Sequence, residues 1–293
     1  MELNEYIEKY RKIVDSALED ALPAETERPV DLHRAMRYSA LGGGKRLRAI
    51  LCIAACEASD GDCEMAIQPA CSVEILHAYT LVHDDLPAMD DDDMRRGKPS
   101  THKAFGEATA ILVGDALLTL AFENLAANMG GRTHNPQRLV LELSRAGGSL
   151  GVVAGQYEDI SHDDQAHERN LLDYIHTHKT ADLIRCACRM GAIAADAPPA
   201  TLAALDNYGG KIGLAFQIVD DILDATQTSE ALGKPSGSDE SNSKMTAVNV
   251  YGLDAARNYA RSLTQDAISA LHPIRGDTTP LESIAQMLLD RSF

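Results

Sequence analysis

The chain has 293 residues, long enough to bury a sizeable core in one large domain or two modest ones. Aromatic residues make up 4% and tryptophan is missing, while alanine and leucine abound, which favours helices over a large sheet. The formal charge of −17 argues against nucleic acid as a partner, because phosphate backbones are held by an excess of Lys and Arg.

Residues 2–20 read as an amphipathic helix, with Tyr6, Ile7, Tyr10, Ile13 and Val14 on one stripe. A proline-containing break follows. From Leu32 a helix runs to the glycine stop Leu41-Gly42-Gly43-Gly44, and Lys45-Arg46-Leu47-Arg48 opens the next, through Ala58. Cations placed at free helix N–H groups favour an anion there, although a basic trio alone is more often a solvated face.

Met65 to about Asp85 and Ala108 to Ala127 are strongly apolar and read as central helices. Further helices are predicted at about 136–158, 169–195, 201–225, 252–271 and 280–290, and residues 233–243 form the clearest loop. Neither a 20–50 residue repeat nor a separating linker is visible, so we expect an all-α, single-domain chain over 1–293. Six cysteines without CxxC pairs, and an N-terminus without a cationic–apolar leader, lead us to expect free thiols and a cytoplasmic protein. No stretch offers about 20 uninterrupted apolar residues, so stable membrane insertion is not expected.

Two acidic groups carry chemistry. The run His83-Asp84-Asp85-Leu86-Pro87-Ala88-Met89-Asp90-Asp91-Asp92-Asp93 places six aspartates within ten residues at the end of an apolar helix. Like charges about 4 Å apart repel by roughly 1 kcal/mol even in bulk water, which a divalent cation relieves. The second group, Asp220, Asp221 and Asp224, lies in the apolar run Phe216-Gln217-Ile218-Val219-Asp220-Asp221-Ile222-Leu223-Asp224. Asp220 and Asp224 are one turn apart and share a face, while the aliphatic residues largely supply packing. Oxygen-only ligands suit Mg²⁺, which commonly binds one or two carboxylates plus substrate phosphate. Together with Lys and Arg at several other points, the two groups suggest a diphosphate held between metals and cations.

These residues resemble the trans-isoprenyl diphosphate synthases, closest to the bacterial short-chain farnesyl type, over about residues 30–291. The marks are Gly43-Gly44-Lys45-Arg46-Leu47-Arg48, His77, the DDxxxxD stretch Asp84–Asp90 followed by Arg95-Arg96-Gly97, Gly155-Gln156 with Asp159, His178-Lys179-Thr180, and Phe216-Gln217 with Asp220-Asp221 and Asp224. The resemblance implies a helical bundle with a central cavity, about three Mg²⁺ ions and a homodimer. It implies Asp84, Asp90 and Asp220 as direct Mg²⁺ ligands, with Asp85, Asp221 and Asp224 sharing metal or orienting its waters. By the same resemblance Arg95, Lys179 and Lys234 hold the allylic diphosphate, and Lys45, Arg48, His77 and Arg96 hold isopentenyl diphosphate. Lys179, Thr180 and Gln217 then steady an allylic carbocation formed when the diphosphate departs.

In look-alike farnesyl synthases an aromatic at the Tyr79 position, with four residues between Asp85 and Asp90, accompanies a C15 product. Spacing alone does not choose between Tyr79 and Thr80 as the pocket floor: they lie about 7.5 and 6 Å along the helix from Asp84. After Asp224 the chain departs from the pattern, with Ser243-Lys244-Met245-Thr246-Ala247-Val248 where relatives show Gly-Lys-x-Thr-x-Pro. Lys234, Lys244 and Thr246 are kept, and Arg291 is the candidate terminal cation over isopentenyl diphosphate. The alternatives are a geranylgeranyl or geranyl synthase of the same fold, a metal phosphohydrolase built on the pair His83-Asp84, and an inactive regulatory subunit.

Overall fold

The computed structural model describes residues 1–127, 136–161, 168–226 and 245–291. Its first helix, α1 (Leu3–Ala21), buries Tyr6, Tyr10, Val14 and Leu18, a spacing of four that keeps one stripe inward. Glu57 ties that stripe down: the Tyr6 hydroxyl donates to its Oε2 at 2.5 Å, and the Tyr10 hydroxyl to its other oxygen. After α2 (Val30–Ala40) the chain passes the glycines and enters α3 (Leu47–Ala58), where nine residues are buried around the helix. A helix apolar on all sides belongs in the middle. It packs on α4 (Cys63–Asp84) and on α10 (Asp182–Ala194).

Between α4 and α6 (Glu107–Ala127) lie a two-stranded hairpin, Met94–Arg95 paired antiparallel with Lys98–Pro99, and the short helix α5 (Thr101–Phe105). Gly97, at φ +74°, makes the turn between the strands. By length and composition α6 is apolar enough to cross a membrane, although its apolar run is interrupted. Here it packs along α4, burying Val113, Leu117, Ala121 and Leu125, while Ile111 and Leu112 stay 46% and 56% exposed.

The helix expected over 136–158 is two, α7 (Pro136–Gly147) and α8 (Val152–Ser161), parted by Gly148-Ser149-Leu150-Gly151. The one expected over 169–195 is interrupted as well: α9 (Arg169–Ile175) leads into a π-helical turn, His176–Ala181, before α10. The longest described helix, α11 (Pro199–Thr226), packs on α10 and on α13 (Leu253–Ala270); α12 (Ala247–Tyr251) and α14 (Thr279–Asp290) complete the described elements. Buried side chains from α1 to α14 join one apolar cluster. All six cysteines are free, as expected, and five of them are buried. Among the described residues the fold is therefore all-α apart from the hairpin, and the expected loop at 233–243 lies outside them.

Candidate active site

α4 and α11 both bring acidic residues to one cavity of about 780 Å³. Asp84, Asp90, Asp220 and Asp221 line it together with Arg48, His77, Arg95, Arg96, Lys179, Thr180 and Gln217. Two groups far apart in sequence thus face one space, as the sequence predicted. The first group is shaped by backbone closure: past the end of α4 the Asp90 N–H returns to the Asp84 carbonyl at 2.9 Å. The residues between Asp85 and Asp90 make that return possible and set the Asp84 and Asp90 carboxylates at the same mouth.

The carboxylates are under electrostatic pressure. Burial, with Asp90 and Asp85 nearby and only partly offset by Lys179 and Arg95, pushes the Asp84 carboxyl from its ordinary 3.8 up to about 6. A cation placed between Asp84 and Asp90 would remove that penalty. The donors are hard carboxylate oxygens beside open space, so the residues fit Mg²⁺ with retained waters. Asp85 is turned elsewhere: it is 2% exposed, accepts from Arg95 Nε at 2.9 Å, and borders a narrow crevice behind the hairpin. Asp224 is buried on α11 and does not line the main cavity.

A polar chain fixes the far wall. Thr180 Oγ1 donates to Gln217 Oε1 at 2.8 Å, Gln217 Nε2 donates to Asp221 Oδ1 at 2.9 Å, and Ala247 N–H donates to Asp221 Oδ2 at 2.7 Å. His176 Nε2 stands 3.3 Å from the same Asp221 oxygen. Asp221 is thereby held as a positioning group, and its partners come from the π turn, α11 and the start of α12. Thr246, the N-cap of α12, accepts from Asn249 N–H at 3.2 Å and lines the cavity, so the altered loop still delivers this residue.

The π turn is where Lys179 enters. Widening the helix by a residue per turn re-aims side chains, a device common at functional sites. Lys179 Nζ donates to Asp159 Oδ2 on α8 at 2.5 Å. Burial alone would lower this ammonium, but Asp159, Asp84 and Asp90 outweigh it and raise its pKa, so Lys179 stays charged. Gly155 makes the approach possible: a Cβ there would lie 2.1 Å from the Lys179 backbone nitrogen.

The opposite wall is chiefly cationic. Arg48 Nη1 contacts His77 Nε2 at 3.2 Å, and Arg48 Nε is buried without a hydrogen-bond partner among the described residues. Burial depresses the pKa of both Arg48 and Arg96, and burial plus these guanidinium groups drives His77 well below its ordinary value. His77 is therefore neutral and accepts from Arg48. Beside this wall lies a second pocket of about 230 Å³, lined by Lys45, Arg48, His77, Arg96, Phe216 and Arg291 among others. Cations crowded in this way call for an anion. Arg291 Nη1 reaches Asp220 Oδ1 at 3.4 Å, and its guanidinium lies 5.7 Å from the Phe216 ring centre.

Some assignments change. Arg46, grouped by sequence with Lys45 and Arg48, turns into the core, with Nε 2.8 Å from Asp15 Oδ1 and Nη1 3.7 Å from Glu74 Oε2. It joins α1 to α4, and although it borders the smaller pocket its charge is already taken by these two carboxylates. Lys234 and Lys244 lie outside the described residues. His83, the basis of the phosphohydrolase alternative, contacts the Ile111 carbonyl of α6 at 3.0 Å and does not line the cavity. His176 escapes a reading of the sequence, where nothing distinguishes it from His178, which instead pairs with Asp182 at 2.6 Å.

A helical bundle whose cavity has one acidic, metal-fitting wall and one cationic, anion-fitting wall defines a synthase that handles diphosphates. The family described as Polyprenyl synthetase matches residues 29–274, and the chain belongs to it, a trans-isoprenyl diphosphate synthase. It is 43% identical to heterodimeric geranylgeranyl pyrophosphate synthase large subunit 1, chloroplastic, of Arabidopsis thaliana, covering 98% of this chain and 78% of the relative. It is 41% identical to a dimethylallyltranstransferase of Fischerella ambigua, covering 99% and 84%. Among solved structures, an FPP/GFPP synthase from Zymomonas mobilis aligns with TM-score 0.85 at 34% identity over 98% of both chains. The chain is a prenyltransferase.

Proposed function

We infer that this enzyme joins isopentenyl diphosphate head to tail with dimethylallyl and then geranyl diphosphate, releasing farnesyl diphosphate. The observation that carries this reading is the pair of adjoining pockets with opposite electrostatic needs: carboxylates at Asp84, Asp90 and Asp220, crowded cations at Lys45, Arg48 and Arg96. In this reading the allylic diphosphate lies against Arg95 and Lys179, Lys234 and Lys244 are the further cations that the family resemblance assigns to substrate, and isopentenyl diphosphate occupies the smaller pocket. About three Mg²⁺ ions would be held by Asp84, Asp90 and Asp220, with Asp221 beside them in the cavity and Asp85 and Asp224 acting only from behind its wall, and would supply charge neutralisation for the departing diphosphate.

The protein's own groups do the rest. Lys179 and Arg95 meet charge developing on the leaving oxygens, while the Thr180 and Gln217 dipoles steady the allylic cation through the π turn. Arg48, oriented by neutral His77, holds the second diphosphate so that its double bond faces the cation. The new C–C bond forms from that π pair, and a proton leaves to the released diphosphate. No protein nucleophile takes part.

Tyr79 and the four-residue spacing support the C15 product. The relatives named geranylgeranyl synthases favour a C20 product as the second reading. Incubating the protein with Mg²⁺, labelled isopentenyl diphosphate and either allylic donor, then sizing the products, separates the two. Failure to elongate either donor would overturn both. Asp84→Ala and Asp220→Ala should each cost a thousandfold or more in turnover, about several kcal/mol of charge stabilisation; an inactive scaffold would bind its partner unchanged.

We also take residues 1–293 as one domain acting in the cytoplasm as a homodimer. Leu112, Leu150 and Tyr157, exposed at 56%, 79% and 64%, are apolar side chains of the kind that a second copy would cover. Sedimentation of the purified chain tests this, with Leu112→Asp expected to shift it towards monomer.

A further inference from the structure

Between the loop that carries Asp90 and the helix α5 lies a nitrogen-containing cluster that the diphosphate chemistry does not use. Asp91, Asp93 and His102 hold one oxygen, one oxygen and one ring nitrogen within 4.8 Å of one another. The carboxylates are open, at 61% and 73% side-chain exposure, but the His102 side chain is 2% exposed. Its Nε2 is buried, has no hydrogen-bond partner among the described residues, and faces Asp91 Oδ1 from 4.0 Å. An imidazole nitrogen sealed from solvent and left unsatisfied beside two carboxylates is costly unless something occupies the gap.

The surroundings prepare that nitrogen. Ser100 Oγ lies 3.1 Å from His102 Nδ1, and Ser100 N–H is itself bonded to the Asp93 carbonyl at 2.9 Å. The tautomer that donates from Nδ1 to Ser100 leaves a lone pair on Nε2, the arrangement usual for metal-bound histidine. Asp91 is held with φ +51°, an αL conformation that Asp tolerates better than most residues, and its N–H is bonded to the Leu86 carbonyl at 3.1 Å. Asp93 is paired with Lys103 at 2.7 Å through one oxygen, so its carboxylate either exchanges the ammonium or offers its second oxygen.

We propose that Asp91, Asp93 and His102 bind one divalent transition-metal ion of the zinc class, separate from the Mg²⁺ ions of the catalytic cavity. The mixed nitrogen and oxygen donors select Zn²⁺ over Mg²⁺, whose sites are built from oxygen alone. Zn–N and Zn–O bonds of about 2.0–2.2 Å place tetrahedral donors about 3.4 Å apart, so the two exposed carboxylates must close by about 1 Å, and water supplies the fourth position. The ion clips the loop after Asp90 to α5. Between these anchors lies the hairpin that presents Arg95 and Arg96, so occupancy stiffens the diphosphate-binding arginines.

The test uses the full chain, freed of metal and returned to millimolar Mg²⁺ so that oxygen-only sites are filled. Calorimetric titration with Zn²⁺ should show one site, and X-ray absorption at zinc should show a nitrogen ligand. His102→Ala should weaken that binding by about tenfold or more and Asp91→Asn should weaken it too, whereas an Asp84→Asn, Asp220→Asn double variant should keep it. Binding unchanged in His102→Ala, binding lost in the double variant, or no zinc bound by the wild type would each overturn the site. Should His102→Ala fail to fold, Asp91→Asn decides alone: its substitution is at an exposed side chain, and wild-type zinc affinity there would overturn the site equally. Zinc should also raise the melting temperature of the wild type and leave that of Asp91→Asn nearly unmoved.

Discussion

Gln217 Nε2 donates to Asp221 Oδ1 at 2.9 Å while Gln217 Oε1 accepts from Thr180 at 2.8 Å, so this one amide joins the acidic wall to the π turn. Its two ends are not interchangeable, because a carboxylate can receive only the donor end. Gln217→Glu removes that donor and sets like charges against each other. Losing a hydrogen bond to a charged group costs about 1.5–3 kcal/mol, so kcat should fall by about 10- to 100-fold. The Michaelis constant for isopentenyl diphosphate, bound on the other wall, should hardly move. Steady-state kinetics on both substrates decides it, and equal losses on both would break the assignment.

The pressure on Asp84 predicts a pH dependence with a definite sign. Its folded pKa, about 6, lies above the ordinary 3.8, so between about pH 4 and 6 the folded protein binds the extra proton. Metal-free protein therefore loses stability from this group as pH rises through that window. Mg²⁺ needs the ionised form and compensates it. The rise in melting temperature on adding Mg²⁺ should accordingly be small at about pH 5 and larger above about pH 6.5, with the step reduced in Asp84→Asn. An undiminished step in that variant would move the titration to another group.

Gly155 reports on the π turn. A methyl group there meets the Lys179 backbone nitrogen at 2.1 Å, which no side-chain rotation can relieve. Gly155→Ala should push α8 away from the turn at a cost of about 1–3 kcal/mol, as overpacking does. It should also separate Lys179 from Asp159, lowering kcat more than stability alone explains. Denaturation midpoints and kinetics on the same sample separate the two effects.

How much of this is legible in the sequence depends on where each residue finds its partner. Helix existence follows from apolar periodicity in α1 and from sustained apolar runs in α3, α4, α6 and α11, and the convergence of Asp84 with Asp220 follows from their unusual placement in such runs. Breaks are harder. Gly147 and Gly148 end α7 where the periodic pattern would have continued, and the π turn keeps helical composition while changing hydrogen-bond register. Direction is hardest of all. Asp84 and Asp85 are neighbours, yet one faces the cavity and the other is taken by Arg95 behind the hairpin. Local sequence carries no record of which acid an arginine on a later element will claim.

Lys45 and Arg46 give that point a direct measurement. They are adjacent cations in one motif, but Lys45 is exposed at the smaller pocket and Arg46 is buried between Asp15 and Glu74. Glu74 is 4% exposed and also accepts from the Ala49 N–H at 3.1 Å, so removing Arg46 strands a buried carboxylate at the start of α3. Breaking such a pair costs about 3–5 kcal/mol. Arg46→Ala should therefore be markedly less stable in urea at neutral pH. Lys45→Ala should unfold at the wild-type midpoint and instead raise the Michaelis constant for isopentenyl diphosphate, more so at low salt, where an exposed cation attracts a diphosphate most strongly. If the two variants behaved alike in both assays, the division between a core arginine and a substrate lysine would fail.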